Sequence, residues 1–340
     1  MNKIKEFFAK KGVELSPRVY FITTTSTMTL GFFASLIIGL ILSEIGRRAG
    51  ISVLSEIGAT AISLTGAAIG VAVAYALKAP PLVLFAAVVV GAIGFNHGNV
   101  VGAWLAALVA VEIGKLVSKS TKIDIIIPPI SVLLAGYGVA YLVGPPLDLV
   151  MTNIGNFLMW ATDLQPLLMG IIIGAVMGIV LTSPISSAAI AIAIGLSGLA
   201  AGAAVAGGAA QMVGFAAASF RENKIGGLIS QGLGTAMIQF PNILKNPKIW
   251  IPVTLASAIG GGLSTTLFQM ENIPGGAGMG TSGLVGQFGA LSAMEGVATQ
   301  TVLLQIGLLH FVIPAALTLL FTEIMRKKGW IKLGDMKVGD

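Results

Sequence analysis

The chain has 340 residues, of which 55% are hydrophobic and only 10% are charged, and its mean hydropathy is +0.93. This balance excludes a water-soluble domain, whose surface needs far more charged side chains. The absence of cysteine excludes disulfides, thiolate metal sites and a cysteine nucleophile, and two histidines are too few for a histidine-built metal site. We therefore expect no metal, no cofactor and no catalytic residue.

Apolar runs of about 16 to 24 residues recur along almost the whole chain, and roughly 20 residues allow an α-helix to cross a bilayer. Runs such as LLMGIIIGAVMGIV are apolar on every face, whereas the strands of a membrane β-barrel alternate in polarity. The sequence therefore predicts an all-α polytopic membrane protein. The net charge of +6 comes from Lys and Arg at the ends of these runs, which is typical of cytoplasmic loops and does not indicate nucleic-acid binding.

Residues 1–15 are predicted to form a short helix on the cytoplasmic membrane surface. Ile4, Phe7 and Phe8 are interleaved with lysines, as in helices that lie in the bilayer interface, and the stretch has no signal-peptide pattern. Eight spans are predicted next, at approximately 20–43, 52–77, 80–96, 100–117, 124–143, 166–181, 185–200 and 203–219.

The basic residues indicate the sidedness of these spans. From a cytoplasmic N-terminus, eight crossings return the chain to the cytoplasm at Arg221. Several basic residues then fall on the inner side, namely Lys78, Lys115, Lys119, Lys122, Arg221 and Lys224. Arg47 and Arg48 fall on the outer side and disagree with this path.

Residues 225–244 are apolar, but both of their flanks are basic, with Arg221 and Lys224 before them and Lys245 and Lys248 after them. Two ends that both favour the cytoplasm predict a re-entrant hairpin. A span near 249–268 and a last helix near 298–323 make residues 270–296 a second hairpin, which enters from the opposite side.

The predicted architecture is thus about ten transmembrane helices plus two re-entrant hairpins in the C-terminal half. We divide the chain into an interfacial helix (1–15), an N-terminal membrane half that contributes the scaffold and dimer contact (16–165), a C-terminal membrane half for transport (166–325) and a cytoplasmic tail (326–340). Within the transport half, Gly170, Gly174 and Gly178 lie on one helix face, a pattern that predicts close helix packing.

The stretch MENIPGGAGMGTSG contains GxGxxG at Gly278, Gly280 and Gly283, but no strand precedes it and no lysine follows it. A dinucleotide fingerprint and a Walker A loop are therefore excluded. Two interpretations stay open. The glycines either expose backbone amides to a polar ligand or form a tight external turn without a ligand.

Polar side chains inside apolar runs are candidate ligand groups, because burying one without a partner costs several kcal/mol. They cluster in the two predicted hairpins, at Gln231, Asn242, Glu271, Asn272, Gly278 (by its backbone), Thr281, Ser282, Gln287 and Glu295. Amides and hydroxyls with few carboxylates suit a neutral polyhydroxyl ligand such as a sugar. An interhelical hydrogen bond is the alternative for each residue and is favoured for Gln211 and Gln239. We expect His310 to be a neutral histidine that donates to a carbonyl.

The stretches LTSPISSAAIAIAIGLSGLAAGAAVAGGAAQMVGFA, SFRENKIGGLISQGLGTAMIQFPNILKNPKIWIP and MENIPGGAGMGTSGLVGQ resemble the enzyme IIC membrane components of the bacterial phosphotransferase system. The resemblance implies ten spans, two re-entrant hairpins, a homodimer and alternating access in the bacterial inner membrane. It also implies a sugar substrate and a separate IIB-like phosphoryl donor. The Thr-Glu-Pro or Thr-Glu-Gly motif of the glucose and fructose branches is missing here. The competing hypotheses are a transporter of the same fold without phosphorylation and a membrane sensor.

Overall fold

The computed structural model describes residues 7–120 and 123–339, without the side chain of Arg48. The described residues are helical, with no strand apart from one isolated antiparallel bridge between Gly198 and Asn272. The all-α prediction is therefore confirmed. Contacts divide the chain into two compact units, Met1–Val150 and Met151–Asp340. The predicted surface helix is described only from residue 7, and its last turn ends at Gly12, which has φ +70°.

After the short helix that ends at Gly12, the described part of the first unit contains four helices and the beginning of a fifth. They are α1 (Val19–Arg47), α2 (Ser52–Ser63), α3 (Thr65–Ala76), α4 (Pro81–Val117) and α5 (Ile127–Thr162). Helices α2 and α3 are bent by 53° at the break between them, so the predicted span 52–77 is not straight.

Helix α4 reverses direction at Gly98 and Asn99, whose backbone angles are not helical. A Cβ built on Gly94 would lie 2.5 Å from the carbonyl oxygen of Gly102, although eight residues of straight helix would separate the two by about 12 Å. The two arms therefore pack as an antiparallel hairpin. The sequence predicts a break between two spans at this position, over residues 97–99.

The described part of the second unit contains nine further helices, besides short 3-10 pieces. They are α6 (Pro166–Thr182), α7 (Ser187–Ala193), α8 (Gly198–Ala218), α9 (Phe220–Ile229), α10 (Phe240–Lys245), α11 (Trp250–Thr266), α12 (Pro274–Ala277), α13 (Val285–Ala293) and α14 (Thr299–Lys327). Short helical pieces and turns occupy residues 220–249, the first broken segment, and residues 267–298, the second broken segment. These are the two regions where the sequence predicts re-entrant hairpins.

By length and hydropathy, five of the described helices can cross a membrane, or six if α2 and α3 together form one span. Helix α6 is apolar but has only 17 residues. The chain is thus a multi-pass membrane protein, while the count of ten spans and the re-entrant course of the broken segments stay predictions.

Glycines at the centre of the second unit bring three helices into backbone contact. Gly174 of α6 meets Gly207 of α8 and Gly261 of α11, where an added Cβ would lie between 2.0 and 2.9 Å from neighbouring backbone atoms. The packing role predicted for Gly170, Gly174 and Gly178 is confirmed. Gln211 bridges the same helices, since its amide bonds Thr182, Trp250 and Ser257 at 2.8–3.2 Å, as favoured from the sequence.

Two adjacent glycines of α11 provide a test of this packing. A methyl group at Gly261 would lie 2.1 Å from the carbonyl oxygen of Gly170, whereas one at Gly260 would lie 3.7 Å from its nearest neighbour. We expect Gly261→Ala to destabilise the protein by about 1–3 kcal/mol, and Gly260→Ala to be neutral or slightly stabilising. Thermal unfolding in detergent measures both variants, and equal midpoints would contradict the backbone contact.

Candidate ligand-binding site at the two broken segments

The two broken segments contact each other at Gly232 and Thr281, which we call the tips of the segments. Thr281 of the second segment is fully buried, and its Oγ1 donates to the carbonyl oxygen of Gly232 in the first segment at 2.5 Å. Gly232 belongs to a single π-helical turn, Ser230–Gly234, where the backbone hydrogen-bond pattern departs from that of an α-helix. One side chain therefore joins two irregular backbones inside the second unit, whereas the sequence predicts Thr281 only as a candidate ligand group.

Asn272 holds the second broken segment together. Its backbone pairs with Gly198 at 3.0 and 3.1 Å, its Nδ2 donates to Gly286 O at 2.7 Å, and its Oδ1 accepts from Ile273 N at 2.9 Å. Gly276 and Gly289 flank this Oδ1 so closely that a Cβ on either would lie 2.2 Å from it. Asn272 thus fixes the shape of the segment through its own hydrogen bonds.

The glycine-rich turn is packed against helix α7. Ser187 Oγ donates to the carbonyl oxygen of Gly278 at 2.6 Å, and a Cβ on Gly278 would lie 2.4 Å from the backbone carbonyl of Ser187. Positive φ occurs at Gly280 (+52°) and Gly283 (+54°), but Gly278 has φ −94°. Glycine is therefore required at residue 278 by the close backbone approach and not by a positive φ.

Gln287 and His310 form a buried polar pair. Gln287 Nε2 lies 3.3 Å from the carbonyl oxygen of Gly280 and 3.1 Å from His310 Nδ1. His310 lies in a π-helical turn of α14, Gly307–Val312, and is 1% exposed. The expectation that His310 donates to a carbonyl is wrong for Nδ1, since this nitrogen faces an amide donor.

Several polar atoms beside these contacts have no hydrogen-bond partner among the described residues. They include Ser282 Oγ, Gln287 Oε1 and His310 Nε2, all on residues that are at most 5% exposed. Buried polar atoms of native proteins are nearly always paired, so each such atom requires an explanation. A ligand that carries hydroxyl groups could supply the missing partners.

The side-chain amides of the first broken segment form a chain of hydrogen bonds, the amide relay. This relay ends at the C-terminal segment (residues 330–338). Gln231 Nε2 donates to Ser219 Oγ at 2.9 Å, and its Oε1 accepts from Gln239 Nε2 at 2.8 Å. Gln239 also donates to Met336 O, and Asn242 Nδ2 donates to Gln239 Oε1 and Lys337 O, at 2.8–2.9 Å. Both amide hydrogens of Gln239 and Asn242 are therefore engaged within the protein.

Further contacts fasten the C-terminal segment to the same region. Asn223 Nδ2 donates to Met336 O and its Oδ1 accepts from Val338 N, both at 2.8 Å. Gly334 N donates to Glu222 Oε1 at 2.7 Å. Burial raises the pKa of Glu222, while the Gly334 N–H and the nearby Arg326 oppose the rise by favouring the carboxylate. Ile331 and Met336 are both 1% exposed within an apolar cluster that also contains residues of α8.

The structure separates the predicted site residues into four groups. Thr281, Ser282 and Gln287 lie buried at or near the meeting of the tips, and Asn272 and Gly278 shape the second segment. Gln231 and Asn242 belong to the amide relay of the first broken segment. Glu271 and Glu295 are exposed.

Two features were not predicted from the sequence. One is the contact of His310 with Gln287, although a histidine within an apolar helix was a usable signal. The other is the docking of the C-terminal residues, since the sequence predicts residues 326–340 only as a cytoplasmic tail and no local pattern in that stretch indicates docking.

An all-helical, multi-pass chain with two broken segments that meet inside one unit has the architecture of a membrane transporter. Residues 22–338 match the family described as Phosphotransferase system, EIIC, which covers most of the chain. The chain belongs to this family and is a membrane component of a phosphotransferase system. No curated protein matches the chain.

Proposed function

We propose that the chain is the permease component of a bacterial sugar uptake system and that its substrate binds where the two broken segments meet. The contact between Thr281 Oγ1 and Gly232 O carries this proposal, because broken elements that meet at membrane depth are where transporters bind substrate. Family membership supports a transport role for the chain.

The chemistry around the tips favours a neutral ligand with many hydroxyl groups. Ser282 and Gln287 offer uncharged donors and acceptors, whereas Glu271 and Glu295 are exposed carboxylates at the two ends of the second segment. A sugar satisfies amides and hydroxyls without bringing a charge into the membrane. In this proposal Asn272 and Gly278 preserve the shape of the site, and Gln231 and Asn242 support the first segment.

The remaining parts of the proposal concern movement and partners. Residues 16–165 form the fixed part of a homodimer in the bacterial inner membrane, with both termini in the cytoplasm, and residues 166–325 carry the site across the bilayer by alternating access. The phosphoryl group comes from a separate IIB-like protein, because the chain offers no cysteine as a carrier. Cross-linking in mild detergent tests the dimer, and external labelling of cysteines introduced at Arg221 and Lys245 tests the sidedness.

Binding of sugars, sugar acids and nucleosides to the purified protein tests the function. We expect a neutral sugar to raise the thermal midpoint, and Thr281→Val to weaken its binding about tenfold, since a hydrogen bond is lost and Gly232 O is left unpaired. The control is Thr266→Val, whose hydroxyl donates to Gly262 O of its own helix. If the two variants bind the sugar with equal affinity, the contact between Thr281 and Gly232 is not part of the binding site.

A transporter of the same family type that does not phosphorylate its cargo is the second candidate. The specific observation in its favour is that neither Glu271 nor Glu295 is buried beside Thr281. Accumulation of unmodified sugar in vesicles that contain the chain and lack any phosphoryl donor would favour this candidate. A chain that binds no solute of the panel would favour the sensor.

A further inference from the structure

We propose that His310 is a substrate-binding residue, that its Nε2–H donates to one ligand hydroxyl, and that Gln287 Oε1 accepts from a second hydroxyl of the same ligand. This inference rests on the proposed function, because it names the hydroxyl-bearing ligand as a neutral sugar. The sequence marks His310 as a histidine within an apolar helix but does not bring it to the second broken segment. The structure does, through the contact with Gln287 in the second broken segment.

The hydrogen-bond geometry determines which nitrogen of His310 carries the proton. Gly280 O can only accept, so the amide group that lies 3.3 Å from it must present its nitrogen, which fixes the orientation of Gln287. That same nitrogen is a donor and lies 3.1 Å from His310 Nδ1, so Nδ1 must accept. In a neutral imidazole the proton then resides on Nε2, and Nε2 is a donor.

The same contacts leave one donor and one acceptor unused on a bonded pair. His310 Nε2 and Gln287 Oε1 have no partner among the described residues, and the two residues are 1% and 5% exposed. The Nε2–H of an imidazole points away from a group bonded to Nδ1, so two separate hydroxyls of one polyhydroxyl ligand match this pair. A carboxylate or phosphate would accept from Nε2 but would repel the Gln287 oxygen, so the pair favours a neutral ligand.

The local fold favours a binding role over simple packing. His310 lies in the π-helical turn Gly307–Val312, and such turns occur frequently at functional sites. A histidine that served only to accept from Gln287 would leave a buried N–H without a partner inside an apolar helix, which is unfavourable. A bound hydroxyl removes that cost.

Two histidines in the whole chain make a direct measurement feasible. In protein labelled with ¹⁵N-histidine, a His97→Gln variant identifies the His310 signals, since His97 lies in the first unit and contacts its own helix at Ile93 O. We expect Nδ1 of His310 to be unprotonated and Nε2 to be protonated. The opposite tautomer would overturn the assignment before any ligand is added.

Addition of glucose, mannitol and N-acetylglucosamine to the same sample tests the ligand. A sugar that raises the thermal midpoint of the parent protein should also shift the Nε2 signal. A sugar that binds without moving this signal would contradict the inference alone and leave the proposed function intact. If no sugar binds, the proposed function and the hydroxyl ligand of His310 are both contradicted.

A pair of substitutions separates ligand binding from packing. The amide of His310→Gln reaches the position of Nε2 and can replace its donor, whereas the amide of His310→Asn reaches only the position of Nδ1 and preserves the contact with Gln287. We expect His310→Gln to retain sugar affinity within about threefold, and His310→Asn to lose about tenfold or more. The reverse order would show that His310 acts only through Gln287.

Discussion

Deleting residues 330–340 is expected to lower the thermal midpoint more than any single surface substitution. The deletion removes the buried side chains of Ile331 and Met336, and losing a large core side chain costs about 2–5 kcal/mol each. It also removes the carbonyl partners of Asn223, Gln239 and Asn242. The sum is on the order of 5 kcal/mol or more, since a buried amide without a partner costs about 1–3 kcal/mol.

Single substitutions within the segment distinguish docking from a general effect of truncation. Met336 is 1% exposed and Leu333 is 70% exposed, although both are apolar side chains of the same segment. Met336→Ala should reproduce much of the loss, whereas Leu333→Ala should have little effect. Hydrogen exchange should show faster exchange of residues 225–245 in the deleted protein. Unchanged protection there would mean that the C-terminal segment does not hold the first broken segment.

Hydropathy and glycine spacing were sufficient to predict the helical class, the interruptions near residues 98, 235 and 280, and the packing face of α6. These properties depend on residues close together in sequence, because a bilayer forces the backbone to satisfy its own hydrogen bonds within each helix. Gln211 was also predictable, since an isolated amide in an apolar helix needs a partner on a neighbouring helix.

The partners of the polar residues were not predictable, because they lie far apart along the chain. Asn242 donates to Lys337 O, 95 residues away, and Thr281 donates to Gly232 O, 49 residues away. A charged, weakly apolar tail is normally solvated, and only the fold shows that Met336 is buried. The sequence therefore indicated which polar residues needed partners without indicating which residues supplied them.

Gly278→Val is expected to abolish ligand binding while Gly275→Val preserves it. The two glycines lie three residues apart in the same turn, but a Cβ on Gly278 would lie 2.4 Å from the carbonyl carbon and oxygen of Ser187, and one on Gly275 would meet nothing within 4 Å. Backbone atoms cannot rotate away as a flexible side chain can. Accommodating valine at residue 278 therefore requires the turn and α7 to separate, at a cost of about 1–3 kcal/mol or more.

This separation should affect binding more than folding, because the displaced turn carries Thr281 towards or away from Gly232. We expect sugar affinity of Gly278→Val to fall by at least about a hundredfold, which corresponds to roughly 2.8 kcal/mol. Gly275→Val controls for the bulk and β-branching of valine at an exposed position. If both variants reach the membrane and bind sugar as tightly as the parent, the glycine-rich turn is only a connection, and the site must lie near Gln231 and Asn242, where a ligand would have to displace the C-terminal segment.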